Sequence, residues 1–405
     1  MRVIFLCPQY PPEMAHYVRG LAEVGAKVYG VGDTPKAALP PHVRRYLHGY
    51  LHVPRILDED AVLAAVRSWV AGAPIDRVEA LWEPVVLLAA RLREALGVHG
   101  MSVDTVRGFR DKEIMKQRIR AAGLRVPHSF RVSSASEAWE AAETIGYPLI
   151  VKPIAGAGSA DTYRVDDSRE LERVLDLTRH VPEVSVEEFV EGDEYTYDTV
   201  CVRGEPRYEN VAQYLPRPLI ARTNEWISPV ICTVRDLSQP HLRDGIELGR
   251  GVLKALGMGT GFTHMEWYRK SNGEVVFGEI GCRPGGAHLI DQMNFTSDVD
   301  LFREWARAVC WEDVQINHSR RYNTAIIFKR ALGQGRITRI EGLHPFLRTH
   351  GRHVVWENLL KPGQHRRDWL RTLVSDGFLM VRHPEWSSAL EIADAAARGV
   401  TLYAE

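Results

Sequence analysis

Apolar positions in this chain first recur in short blocks that alternate with helix-like stretches. Val3–Cys7 reads as a buried strand. Glu13–Val24 follows as a helix stopped by Gly25, and Lys27–Val31 is the next strand. Val78–Trp82 and a helix from Pro84 to Leu96, ended by Gly97, repeat the theme. Asp111 then caps a helix from Lys112 to Ala122, with Gly123 and Pro127 beyond it. Ser134 and Glu137 have capping-box spacing. Strands are predicted at Pro148–Pro153, Thr162–Val165 and Val184–Glu188, with a helix over 168–178. After residue 190 the pattern is β-rich until a helix near 241–256. Helix 300–310, strands at 323–330, 353–356 and 378–382, and a helix at 387–398 complete the chain.

This order predicts a mixed α/β and α+β protein. Residues 1–105 form an N-terminal Rossmann-like domain and 106–312 a two-lobed domain, with lobes of about 106–185 and 186–312. Residues 313–405 form a small C-terminal α+β closing domain. The first strand is followed by Pro8-Gln9-Tyr10-Pro11-Pro12 rather than by a glycine fingerprint, which argues against dinucleotide binding there.

The most informative break in periodicity is Ser271-Asn272-Gly273-Glu274. Asn-Gly predicts a two-residue type I′ turn. Folding the strands about it places Glu266 opposite Glu279 and His264 opposite Gly281. Met265, Trp267, Val276 and Ile280 then share the inward face. Like charges directly across a strand pair repel, so the pair either needs a cation between its carboxylates or lies on a solvated surface hairpin. Two carboxylates facing a cleft can hold Mg²⁺, or Mn²⁺ in its place, and leave positions for phosphate and water.

Two upstream segments change the picture. Lys152 ends an Ile-Val strand and precedes Gly156, Gly158 and Ser159, small residues whose backbone N–H groups can approach phosphate. The alternative is a flexible hairpin with an exposed lysine. Glu187-Glu188-Phe189-Val190 leads to Glu194, a connector able to read an adenine edge and ribose hydroxyls, or else a solvated acidic turn.

Composition adds bounds. Apolar residues make up 45% and charged residues 25%, with a formal net charge of -1, so neither nucleic acid nor an anionic membrane is an expected partner. The apolar run at the N-terminus is too short for a signal peptide, and no run reaches the ~20 residues of a membrane span. The five cysteines lack CxxC spacing, which suits a reducing cytoplasm.

Lys112, Lys152 with its glycine loop, Glu187–Glu194, then Glu266, Glu279 and Arg283, taken in order, resemble the ATP-grasp superfamily of carboxylate–amine ligases. The resemblance covers roughly 1–400. It implies that Lys112 and Lys152 contact the α- and β-phosphates of ATP and that Gly156, Gly158 and Ser159 cover the phosphates. Glu187 would accept from the adenine amino group, Glu188 and Val190 would offer backbone atoms to the ring, and Glu194 would bind ribose. Glu266 and Glu279 would hold Mg²⁺, and Arg283 would neutralise the attacked carboxylate and the acyl phosphate. Gly281 departs from the family pattern, which commonly has Asn there, and Asp161 stands where Gly is frequent. His288 with Asp291 and Asn294, or Arg217, Arg222 and Arg235, are candidates for substrate contact beside their readings as helix cap and solvated loop.

The implied activity is ADP-forming ligation of a small-molecule acid to an amine, in an enzyme for which a homodimer is the ordinary expectation. Carboxylation with bicarbonate, glycosyl transfer and a non-catalytic nucleotide-binding module are the alternatives.

Overall fold

The computed structural model describes residues 1–154, 162–316 and 319–405. Gly156, Gly158, Ser159 and Asp161 lie outside the described residues. The N-terminal apolar blocks form a parallel four-stranded sheet. Its order is Leu47–His52, Lys27–Gly32, Arg2–Leu6, Arg77–Glu79. Helices Met14–Glu23, Glu59–Val70 and Val86–Leu96 accompany it.

A second, antiparallel sheet runs Ser129–Val132, Val184–Glu188, Leu149–Pro153, Tyr163–Val165. Alanines of helix Ala135–Ile145 and Leu171 and Val174 of helix Ser168–Thr178 cover one face of it. Lys152 and Glu187 project together from the opposite face, because Lys152 pairs with Ser185 and Glu187 with Ile150.

The third sheet has eight antiparallel strands, in the order Val275–Gly281, Gly261–Arg269, Asp193–Val202, Glu205–Leu215, Val230–Thr233, Asn323–Phe328, Gly377–His383, Val354–Leu359. The strands of the last ninety residues are divided between two sheets. Three of their strands extend the large sheet, joined through Val230–Thr233, whose every residue is buried. A small three-stranded sheet of Leu332–Gly333, Ile337–Glu341 and Thr401–Ala404 packs beside them.

The expected hairpin is present with a different turn. Gly273 N–H donates to the carbonyl of Lys270 at 2.9 Å, and Lys270 N–H to that of Glu274 at 2.9 Å, enclosing three residues. Gly273 takes φ +89°, whereas Asn272 is not among the positive-φ residues that a type I′ turn requires. The three-residue loop shifts the register by one, so Trp267 pairs with Phe277 and Tyr268 with Val276. A bulge between Glu266 and Trp267 restores it, and Glu266 faces Glu279, with His264 facing Gly281. Gly278 is the extra residue, where a Cβ would fall 2.8 Å from the carbonyl oxygen of Glu266. The inward partner of Trp267 is therefore Phe277 and not Val276.

Helix Pro240–Leu256 presses on the back of this hairpin. Trp267 is fully buried and stacks on Tyr195, with centroids 4.7 Å apart. A Cβ at Gly245 would stand 2.2 Å from its ring, and one at Gly249 2.3 Å from Tyr197. Ala at an exposed helical position gains about 1 kcal/mol over Gly, but here the clash decides the sign. Gly245→Ala is expected to lower stability by about 1–3 kcal/mol. Urea unfolding measures this, and a midpoint at or above the parent's would contradict the packing described.

Candidate active site

A cavity of about 720 Å³ opens between the second and third sheets and is closed on one side by the N-terminal segment Tyr10–Met14 and by Trp82 and Glu83. Lys112, Lys152, Glu187, Glu188, Val190, Glu194, Glu266, Glu279, Arg283 and His288 all line it. These ten residues singled out from the sequence thus converge on one space, whereas Asn294, also singled out, instead accepts from Leu301 N–H at 2.8 Å and does not line it.

Lys112 opens helix Lys112–Ala121, whose first turn is fixed by Asp111 accepting from Glu113 N–H at 2.9 Å and Ile114 N–H at 3.1 Å. Its ammonium reaches across to Glu279, Nζ to Oε1 2.9 Å. Lys152 pairs with Glu187, and so does Lys116 through the other carboxylate oxygen. Burial pushes the Glu187 carboxyl up, but Lys116 and Lys152 outweigh it and hold it at about 2. Both oxygens of Glu187 therefore serve lysines in this state, and neither is turned to an adenine amino group. Lys116 was missed in the sequence although it lies one turn beyond Lys112, the spacing that puts two residues on one helix face.

Glu188 points to Arg125, at 2.7 and 2.9 Å, and its backbone N–H donates to the carbonyl of His128 at 2.8 Å. The Val190 carbonyl accepts from Arg217 Nη1 at 2.8 Å, and Glu194 accepts from Arg217 Nε at 3.1 Å. Arg217 also lies over the rings of Phe189 and Tyr268. Its guanidinium thus fastens the Val190–Glu194 connector and does not stand ready for a second carboxylate. Arg235 is bound through its backbone to Asn323 and does not line the cavity.

One face of the large sheet carries Glu194, Asp198, Tyr214, His264, Glu266 and Glu279 together, as the pairings require. Tyr214 O–H donates to Glu266 Oε1 at 3.2 Å. The His264 Nδ1 and Asp198 Oδ1 atoms are 2.5 Å apart, and Asp198 also accepts from the Thr196 hydroxyl at 2.7 Å and from Asn210 at 3.1 Å. Burial, then the charge of Glu266, pushes the Glu194 carboxyl up to about 8, against the pull of Arg217 and Lys152.

Arg283 pairs with Glu83, which comes from the N-terminal unit, and donates to the carbonyl of Pro284 at 2.8 Å. Glu83 also holds Arg110, and the two arginines outweigh its burial and keep its carboxyl low. A Cβ at Gly281 would lie 3.3 Å from Glu83 Oε2 and 3.4 Å from Arg283 Cγ. The departure at 281 thus has a spatial counterpart: the carboxylate of Glu83 stands where a side chain would grow. His288, at φ +63°, precedes helix Leu289–Ser297 with its Nδ1 3.0 Å from Asp291 and its ring against Trp356 and Phe378.

Glu266 and Glu279 suit a hard divalent cation. They are an oxygen-only pair in direct register, beside Glu194, whose carboxyl is raised by burial and then by the charge of Glu266. Among the described residues no group of three or more His, Cys, Asp or Glu is gathered for a metal. That fits Mg²⁺, which takes one or two protein carboxylates and completes its shell with phosphates and water.

The raised Glu194 carboxyl has a measurable sign. A group whose pKa is higher in the folded state lends stability that is complete below its unfolded value and is lost as pH rises through the folded one. For Glu194 that window runs from 4.5 to about 8. Glu194→Gln removes the titration, so the melting temperature of the variant minus that of the parent should climb between these values. A difference that stays flat in ligand-free protein would refute the assignment.

Residues 111–194 match the family model described as carbamoyl-phosphate synthase L chain, ATP binding domain. Residues 22–99 match that of the ATP-grasp N-terminal domain. The L-arginine-specific L-amino acid ligase of Bacillus subtilis is 27% identical over 268 residues, 64% of each chain, so the match spans less than two thirds of that relative's length. Among solved structures, the L-amino acid ligase from Bacillus licheniformis superposes with a TM-score of 0.79 at 19% identity, covering 100% of this chain and 98% of the other. N5-carboxyaminoimidazole synthetase from Staphylococcus aureus, complexed with ADP, does so with 0.71 at 15% identity over 97% and 96%. With family models matched over residues 22–99 and 111–194 in sequence order and the fold shared over its full length, the chain is similar to ATP-grasp carboxylate–amine ligases.

Proposed function

We propose that this protein is an ATP-dependent, ADP-forming ligase that couples a small-molecule carboxylate to an amine. The observation that carries the reading is the convergence, in one cavity, of Lys112 and Lys152 with Glu266, Glu279 and Arg283. Two cations at one wall, two facing acids at the other and an arginine beside them form a charge pattern matched to a polyphosphate and a carboxylate. The relatedness to an L-amino acid ligase and the ADP complex of a structural neighbour support it. Five free, buried cysteines suit a reducing cytoplasm, and among the described residues no helix is long and apolar enough to cross a membrane.

The chemistry balances as follows. A carboxylate oxygen of the acid attacks the γ-phosphorus, the bond to the β-phosphate oxygen breaks, and ADP leaves. The amine nitrogen then attacks the acyl carbon, the bond to the phosphate oxygen breaks, and phosphate departs as the amine gives up a proton. Mg²⁺ (or Mn²⁺), held by Glu266 and Glu279, would supply charge neutralisation for the phosphates.

This chain's own residues do the rest. Lys152 leaves Glu187 for a phosphate, and Lys116 stays behind to balance the Glu187 charge. Lys112 moves from Glu279 to a phosphate oxygen. Arg283, kept oriented by Glu83, faces the carboxylate under attack and the charge that develops on it. His288 contacts the substrate from the end of the glycine loop. Glu194, Glu188 and Val190 border the nucleoside, and Gly156, Gly158 and Ser159 are assigned to the phosphates by their place in the sequence.

A screen of paired acids and amines should show ADP and phosphate release only when acid and amine are both present with ATP and Mg²⁺. AMP as product, or phosphate release indifferent to every acid, would defeat the proposal. Lys152→Met and Glu279→Gln should each lower kcat by roughly 10²–10³-fold, the range seen when one charge-stabilising group is removed. Retention of full activity by either variant would remove that residue from the assigned role.

A further inference from the structure

The far end of the cavity, away from Glu266 and Glu279, is built from helix Pro218–Thr223, the stretch around Arg330 and the loop 369–375. Its lining is apolar at Leu219, Phe328 and Leu373 but carries the guanidinium groups of Arg222 and Arg330. Arg330 is fixed in place. Its Nη1 donates to the carbonyls of Ala221 at 2.7 Å and Asn224 at 2.9 Å, and the group lies over Trp369, 4.4 Å from the ring centroid. Its Nε is buried and finds no acceptor among the described residues. Arg222 is tied by one bond, Nη2 to the carbonyl of Leu370 at 2.9 Å.

Neither arginine has a carboxylate within 4.0 Å among the described residues. The two acids nearest Arg330 are already engaged. Glu225 pairs with Arg366 at 2.6 Å. Asp376 lies 3.8 Å from Arg366 and accepts from the backbone N–H groups of Ala331 at 2.8 Å and Arg367 at 2.6 Å. Arg371, also on this rim, is largely exposed and lies 3.6 Å from Asp368. Burial lowers the pKa of Arg222, and burial together with the charge of Arg222 lowers that of Arg330 to about 10. Two partly desolvated like charges in one apolar pocket are an unfavourable arrangement by themselves. Neutral carbonyls hold the arginines without neutralising them, and both residues line the cavity. Arginine's planar fork matches an oxyanion.

Resting on the ligase reading above, we infer that Arg222 and Arg330 form a subsite for an oxyanion, a carboxylate in the first instance, carried by one of the two substrates away from the reacting atoms. Trp369 and the surrounding leucines would cover the carbon skeleton next to that group. The activated carboxylate belongs at Arg283, so the subsite takes a second anionic group. Its source is either the carboxylate of an amino acid acting as the amine, or the distal carboxylate of a diacid acting as the acid.

The two sources are separated by paired probes. In the amine arm, alanine is compared with ethylamine; in the acid arm, succinate is compared with butyrate. Turnover is read as ADP release, acyl phosphate is trapped with hydroxylamine, and binding of each probe is measured by calorimetry without turnover. The expected result is that the carboxylate-bearing member of one arm is preferred by about tenfold to hundredfold, the worth of a hydrogen-bonded charge. Arg330→Gln and Arg222→Gln should erase that preference and leave the KM for ATP unchanged, and Arg330→Lys should restore part of it. Absence of preference in both arms, or an equal loss for both members of a pair in the variants, would overturn the subsite. A failure to form hydroxamate with any acid, while calorimetry still shows the arginine-dependent preference, would count against the ligase reading and leave the subsite standing.

Discussion

The strand pairing that sets Glu266 against Glu279 is the constraint around which the rest of the site is arranged. Antiparallel register leaves two carboxylates on adjacent strands with no choice of distance, and Glu194 is added on a third strand. The fold answers with cations from other parts of the chain: Lys112 from a helix, Lys152 from the second sheet and Arg217 from the loop beyond Glu205–Leu215. Burial, then the charge of Glu266, still leaves the Glu194 carboxyl raised to about 8. A site in this condition gains from any ligand that brings a cation with its own anions attached, which is the composition of a metal–nucleotide complex.

Much of this was legible in one dimension because the relevant residues sit at element ends with periodic neighbours. The Asp111 cap, the strand carrying Lys152 and the burial of Trp267 all follow from local pattern. The facing glutamates were legible for an incomplete reason. The loop has three residues where two were expected, and the Gly278 bulge compensates for the slip. A bulge is set by contacts on both sides of a sheet, here helix Pro240–Leu256 on one and the cavity on the other, so no short-range signal announces it.

What stayed hidden is long-range. Glu83 meets Arg283 across 200 positions, and Arg330 meets Ala221 across 109. Neither partner belongs to a periodic pattern. The sharing of one eight-stranded sheet between residues 193–281 and 323–383 was likewise invisible, because each strand has the same composition as an independent small domain would need. That shared sheet matters for the site: it forms one continuous wall of the cavity, with Glu266 and Glu279 on its first two strands and Phe328, two residues before Arg330, on its sixth.

Gly281 and Glu83 compete for one volume, since any side chain at 281 would grow into the carboxylate that holds Arg283. The two positions therefore form a linked choice. A side chain at 281 requires the Glu83 carboxylate to give way, and its contact with Arg283 shifts with it. A residue that looks like a missing ligand when read along one strand is, in three dimensions, the space through which a segment some two hundred residues away reaches Arg283.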